Sequence, residues 1–248
     1  MSRIICIANQ KGGVGKTTTT VNLAWAIAAS GAKTLAIDLD PQCNATSALG
    51  QRPVVRHPLV QDQPLVDSLV PGNHENLALL PGSHSFRDVD MLAHADTPQS
   101  ELLARHLATA GAGFDWVLID CPPSLGHLTQ LALSASDEVL MPIQCEYFAM
   151  EGLTLMIEVI KKIIKQRSGQ LTFGGILLTM YDEKLDLTQE VDQEVRDFFG
   201  EIVFDTVIPR DVCVTESPSH GLSVIEYAPR SRGSRAYTEL CMEVLERD

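Results

Sequence analysis

Apolar residues in this chain come in short unbroken runs, and between the runs they recur at helical intervals. Ile4-Ile5-Cys6-Ile7-Ala8 is apolar throughout, a Gly-rich turn follows, and over 17–30 Val21, Leu23, Ala24, Ile27 and Ala28 fall on one helix face. Gly31 reads as the helix stop, and Thr34-Leu35-Ala36-Ile37 as a second strand ending at Asp38-Leu39-Asp40-Pro41. The same alternation predicts strands at 77–81, 116–120, 138–143, 172–179, 202–207 and 223–227. It predicts helices at 99–110, 124–135, 152–165, 188–199 and 234–247. Residues 51–75, richer in Pro, Gln and His, read as an irregular connection with short helical turns near 65–69.

Strands that are apolar at every residue belong in a sheet covered on both faces, and alternating strands and helices imply parallel crossovers. The expected class is α/β, a doubly wound, mostly parallel sheet flanked by helices. Ligands in such sheets sit beyond the carboxyl ends of the strands. The turn at 11–18, Asp38 with Asp40, and Asp120 each follow a strand directly, so they should share one edge.

Composition narrows this picture. The 248 residues, 45% of them apolar, suffice for one large core, and no linker interrupts them, so a single domain over 1–248 is expected. No apolar run approaches the roughly 20 residues of a bilayer-spanning helix. The chain enters its first strand almost at once, with no leader-like apolar stretch before it, which points to the cytoplasm. Six widely spaced cysteines without a Cys-x-x-Cys pair read as reduced packing groups. A formal charge of −13 opposes uniform attraction to nucleic acid or anionic lipid, so any such binding needs a local patch.

The chemistry concentrates in Lys11-Gly12-Gly13-Val14-Gly15-Lys16-Thr17-Thr18. Gly15-Lys16-Thr17 closes the Gly-x-x-x-x-Gly-Lys-[Ser/Thr] phosphate loop, although Gln10 stands where its first Gly belongs. Glycines let the backbone turn tightly and offer N–H groups to phosphate oxygens, and the helix that follows adds its positive end. In this motif Lys16 meets the β and γ phosphates and the Thr17 hydroxyl meets Mg²⁺. The fold class thereby becomes the P-loop NTPase fold, with ATP and Mg²⁺ as the expected ligands.

Asp120 ends its strand ahead of Cys121-Pro122-Pro123 and is the candidate Walker B acid, directly or through a water; capping the next segment is its alternative role. Asp38 and Asp40, two apart at a strand end, point to the same side, so both can face the phosphates.

Lys11 has no role in the ordinary loop. Lys-Gly-Gly-Val-Gly-Lys-Thr-Thr resembles the deviant Walker A signature of the ParA/MinD ATPases. The likeness extends through Asp40-Pro41-Gln42, Asp120-Cys121-Pro122-Pro123-Ser124, 144–152, Thr179-Met180-Tyr181-Asp182, Ile208-Pro209-Arg210, 217–221 and Ser231-Arg232-Gly233. It is strongest to the short, Soj-like ParA branch without an N-terminal helix-turn-helix. The resemblance implies that Lys11 reaches across an ATP-sandwiched homodimer, that Asp40 positions the attacking water, and that Asp38 lies in the magnesium environment. It also implies that Pro209 lines the adenine pocket. Glu146 and Tyr147 then belong either to the dimer or nucleotide environment or to structural packing, and His220 reads as a turn residue.

The resemblance further implies a cycle in which ATP-bound dimers coat non-sequence-specific DNA and a ParB-like partner stimulates slow hydrolysis, segregating a chromosome or plasmid. The expected location is nucleoid-associated. Candidate DNA contacts are Arg210, Arg230, Arg232 and Arg235, with Lys161, Lys162, Lys165 and Arg167 as a second group or a solvated helix end. Asp211 and Cys213 stand where relatives often carry Asn and Arg, which subtracts positive charge there. Two alternatives remain: ParA-type positioning of another cargo, and a MinD-like membrane-cycling ATPase. The second needs a basic amphipathic C-terminus, whereas 237–248 carries four acids and one Arg.

Overall fold

The computed structural model describes residues 2–86, 99–146, 149–166 and 171–247. Eight strands form one sheet: β1 (Arg3–Ile7), β2 (Thr34–Asp38), β3 (Val70–Pro71), β4 (Leu77–Leu80), β5 (Trp116–Asp120), β6 (Glu138–Gln144), β7 (Thr172–Tyr181) and β8 (Val203–Pro209). Their order is β3-β4-β2-β5-β1-β6-β7-β8. Every neighbouring pair is parallel except β3 with β4. The helices are α1 (Lys16–Ala29), α2 (Asn44–Ala48), α3 (Pro58–Gln61), α4 (Gln99–Ala110), α5 (His127–Ala135), α6 (Ala149–Gln166), α7 (Asp186–Phe199), α8 (Val212–Glu216), α9 (Val224–Tyr227) and α10 (Arg232–Glu246).

The unbroken apolar runs are explained by two cores. Cys6, Leu35, Ile37, Val117, Ile119, Ile176 and Leu178 face one layer, which includes α4, α5 and α6. Their strand neighbours Ile5, Ile7, Ala36, Leu118 and Leu177 face the other, which includes α1 and α10. Alternate residues of a strand point to opposite faces, so covering both faces makes every position apolar.

One predicted strand is a helix. Over 223–227 the chain forms the single turn α9, because Ser223 and Glu226 make a capping box: Ser223 Oγ accepts the Glu226 N–H at 3.2 Å and Glu226 Oε2 accepts the Ser223 N–H at 3.3 Å. The Ser-x-x-Glu spacing signals this, and the apolar pair inside it misleads. The Val224 N–H goes to Asn22 Oδ1 at 2.7 Å instead of to a sheet neighbour. The predicted 202–207 strand runs on to Pro209, and the helix expected from 124 begins at His127.

Register sets the functional edge. Ile7 and Asp38 both pair with Asp120, so β1, β2 and β5 end level and release their loops side by side. The apolar stripe of α10, including Tyr237, Leu240 and Val244, is buried in the second core, leaving no free face of the kind a membrane-lying helix uses. Among the described residues no helix is long and apolar enough to cross a membrane.

Candidate functional site

The loop from β1 into α1 takes its shape from glycine. Gly13 (φ 77) and Gly15 (φ 91) occupy the left-handed region that side chains disfavour, and Gly15 caps α1 directly before Lys16. Two side chains hold the loop to the next strands. Asn9 Nδ2 donates to Pro142 O at 2.8 Å, and Thr179 Oγ1 lies within hydrogen-bond distance of Val14 O (2.9 Å) and Ile143 O (3.0 Å). The sequence gives neither an individual role: Asn9 lies 133 residues from Pro142, and Thr179 lies 165 from Val14 and 36 from Ile143.

Lys16 is buried, 6% exposed, and its Nζ donates to the Lys11 carbonyl at 3.0 Å. Burial lowers its pKa, against the opposing charges of Asp120, Cys121 and Asp40. Lys11 points elsewhere: its Nζ pairs with Glu146 at 2.7 Å. Tyr147, named with Glu146 in the sequence, lies outside the described residues.

The three aspartates converge but are not equivalent. Asp120 is fully buried; Thr17 Oγ1 donates to its Oδ2 at 2.7 Å, and Thr20 Oγ1 approaches its Oδ1 at 3.4 Å. Burial, then the neighbouring Asp38 carboxylate, push its pKa well above the usual range, while the Thr17 hydroxyl and Lys16 pull it down. Asp38 is held by its own loop: Oδ2 accepts the Thr46 hydroxyl at 2.6 Å and the Thr46 N–H at 2.8 Å, and Oδ1 accepts the Asp40 N–H at 3.1 Å. Burial raises it to about 6 despite those donors. Its carboxylate thus bonds Thr46 and Asp40 and not Thr17. Asp40 is also buried, and its Oδ1 accepts the Gln42 N–H at 2.8 Å.

Thr46 and Gly82 complete this corner and were given no individual role from the sequence. The Gly82 N–H donates to Thr46 Oγ1 at 2.8 Å, and a Cβ on Gly82 would stand 2.8 Å from Asp38 Cγ. The available signal was position: Gly82 follows β4 on the same edge.

Asp38, Asp40 and Asp120 are all buried at this edge, and Asp120 and Asp40 act on the buried Lys16. Among the described residues no group of three or more His, Cys, Asp or Glu side chains is arranged to hold a metal alone. Mg²⁺ takes one or two protein oxygens and completes its shell from phosphate and water. Thr17 Oγ1 and Asp120 meet at this edge, with the Asp38 carboxylate beside them.

Beside the loop lies a cavity of about 480 Å³ lined by Gly15, Thr18, Thr179, Met180, Ile208 and Pro209. Met180 takes a left-handed backbone (φ 52), uncommon for a residue with a side chain, at the end of β7. Pro209 lines this cavity together with Gly15 and Thr18 of the loop.

Arg210, Arg230, Arg232 and Arg235 are all exposed. Arg210, Arg232 and Arg235 line a common depression of about 490 Å³, and Arg232 donates to the Arg210 carbonyl at 3.1 Å. Arg230 is not part of that lining. Asp211, expected to weaken this face, is a structural cap: it accepts the Cys213 N–H at 2.9 Å and the Gly233 N–H at 2.8 Å, tying α8 to α10. Partial burial opposes ionisation, but those donors and the Arg232 charge hold its carboxyl below the usual range. Lys161, Lys162 and Lys165 are exposed on α6, across the sheet from α10, so the structure does not join them to the arginines. Arg167 lies outside the described residues. His220 stacks on Tyr227 at 4.8 Å, as a turn residue does.

Residues 2–173 match the family model of an AAA domain. The chain is 42% identical over 249 residues to the sporulation initiation inhibitor protein Soj of Bacillus subtilis, covering 98% of each chain. The chain belongs to the Soj/ParA family of P-loop ATPases. Another Soj/ParA relative, the chromosome partitioning protein ParA of Caulobacter vibrioides, is 41% identical over 253 residues, covering 99% of this chain and 95% of that one. The fold recurs in a crystal structure of cobyrinic acid a,c-diamide synthase from Mycobacterium smegmatis with bound ADP and magnesium. That structure is 32% identical with a TM-score of 0.85, over 99% of this chain and 94% of that chain.

Proposed function

We propose that this chain is a partitioning ATPase whose working form is a homodimer sandwiching Mg-ATP. One observation supports the reading: Lys16 lies buried inside the loop while the Lys11 side chain, 39% exposed, extends away from it to Glu146, which favours a role for Lys11 at phosphates other than those of its own loop. Backbone from Gly12 to Gly15 cradles phosphate, and Lys16, Thr17 and Thr18 close around it. Mg²⁺, when bound, supplies charge neutralisation at the phosphates, with Thr17 and Asp120 as its protein side and Asp38 shaping that corner through Thr46. Asp40 accepts a hydrogen bond from, and so orients, the attacking water. The nucleoside occupies the cavity beside Pro209. Hydrolysis is slow because the site lacks a complete constellation until a second protomer adds Lys11.

The dimer binds DNA without sequence preference through Arg210, Arg232 and Arg235, with Arg230 alongside. A ParB-like partner speeds hydrolysis and releases it, moving a chromosome or plasmid. The protein acts in the cytoplasm as one domain over 1–248, associated with the nucleoid. The direct test is light scattering and DNA retention with and without Mg-ATP: ATP-dependent dimers retained on plasmid DNA are expected, and a protein that stays monomeric at saturating Mg-ATP rejects the reading.

The arginine face has its own prediction. Arg232→Glu is expected to weaken DNA binding about tenfold at low salt and to flatten its salt dependence by one to two phosphate contacts, roughly 1–2 in slope. Dimerisation should be unchanged, since Arg232 hydrogen-bonds the Arg210 carbonyl and acts on Asp211 within its own protomer. Undiminished retention on DNA by this variant removes the patch.

A further inference from the structure

We propose that Glu146 is a positioning residue that holds Lys11 within its own protomer and thereby sets the ATP concentration at which two copies join. This rests on the reading that Lys11 acts across a dimer.

The Lys11 main chain is fixed at both ends. Its N–H donates to Asn9 Oδ1 at 3.0 Å, its carbonyl accepts Lys16 Nζ at 3.0 Å, and Asn9 is itself anchored to Pro142 O. Only the side chain is left to choose a partner. Within the chain that partner is Glu146, two residues past the end of β6, at 2.7 Å.

The pair is not needed to hold the loop in place. Asn9 already ties the start of the loop to β6, and Thr179 bridges Val14 and Ile143. Glu146 is also absent from the charges that act on Lys16, which are those of Asp120, Cys121 and Asp40. The effect of the pair therefore falls on what Lys11 does next: it must leave Glu146 before it can reach another protomer's phosphates. Nucleotide favours that departure in one further way. Phosphate that attracts the Lys16 ammonium takes away the donor on the Lys11 carbonyl.

Both members are partly exposed, at 39% and 44%, so each pair shifts an equilibrium only about two- to fivefold. A symmetric dimer breaks two pairs, which multiplies the effect to about four- to 25-fold. The device is weak enough to be reversed by ATP and large enough to measure.

The test titrates a non-hydrolysable ATP analogue with Mg²⁺ against wild type, Glu146→Gln, Glu146→Asp and Lys11→Ala, reading dimer fraction by light scattering. Monomer affinity is measured separately at protein concentrations below dimerisation, which also shows that each variant is folded. Glu146→Gln is expected to dimerise about four- to 25-fold more favourably with unchanged monomer affinity. Glu146→Asp, which keeps the charge but withdraws the carboxylate, should shift the same way by less. An unchanged or weakened dimer in Glu146→Gln overturns the proposal. So does a gain in Glu146→Gln with Glu146→Asp identical to wild type, since general charge repulsion then explains it. Lys11→Ala should remain monomeric; dimerisation by that variant overturns the underlying reading of Lys11 instead.

Discussion

Lys16→Ala is expected to lose ATP affinity by about 30- to several thousandfold, the effect of deleting one member of a buried hydrogen-bonded charge pair, about 2–5 kcal/mol. Lys16 is 6% exposed, and its ammonium donates to the Lys11 carbonyl. Burial already lowers its pKa, so holding it charged in this desolvated position is costly, and a phosphate offsets that cost. Removing it should leave folding stability within about 1 kcal/mol, because one hydrogen bond is lost while one desolvated charge is relieved. Calorimetric titration with Mg-ATP, beside thermal unfolding, separates the two. Wild-type affinity in a folded Lys16→Ala protein would place the nucleotide elsewhere.

The second large effect is on hydrolysis. Asp40→Ala is expected to bind Mg-ATP and dimerise, yet to lose about 10²–10⁴ in single-turnover hydrolysis, the usual contribution of a carboxylate that orients or deprotonates the nucleophile. Alanine also deletes the acceptor for the Gln42 N–H, which loosens the turn after β2. Asp40→Asn keeps that acceptor while removing the charge, so it distinguishes chemistry from architecture. Hydrolysis should be lost in both variants. Recovery in the asparagine variant would make Asp40 a turn residue and move the water-positioning role elsewhere.

Both predictions use residues that were legible before the fold was known, and the reason is local. A phosphate loop is a continuous segment whose glycines, lysine and threonine act within a few residues, so its chemistry is written in order. Asp120 and the Asp38/Asp40 pair were readable because each ends an apolar run, and parallel strands bring their carboxyl ends to one edge. The short helix α9 was misread because Ser223–Tyr227 carries both a capping box and an apolar pair, and the nearby acceptor Asn22 decided between them.

Partners distant in sequence were not legible. Gly82 after β4 closes against the Thr46 of α2 that holds Asp38, and Thr179 and Pro142 steady the phosphate loop from β7 and β6. Asp211 looked like a misplaced charge on a basic face and is a cap joining two helices, which only the placement of Gly233 reveals. The basic residues divide likewise: the sequence leaves the α6 lysines as a second group or a solvated helix end, and the sheet separates them from the arginines beside α10.

By itself, then, the sequence determined the alternation of elements, the doubly covered parallel sheet, the phosphate loop and its extra lysine, since periodicity and contiguous motifs act over a few residues. The tertiary structure alone decided which carboxylate meets Thr17, what encloses Asp38, which arginines share a surface, and that Lys11 is engaged by Glu146. Those are contacts between segments up to 135 residues apart, and their distances arise from strand order and register, which no local pattern encodes.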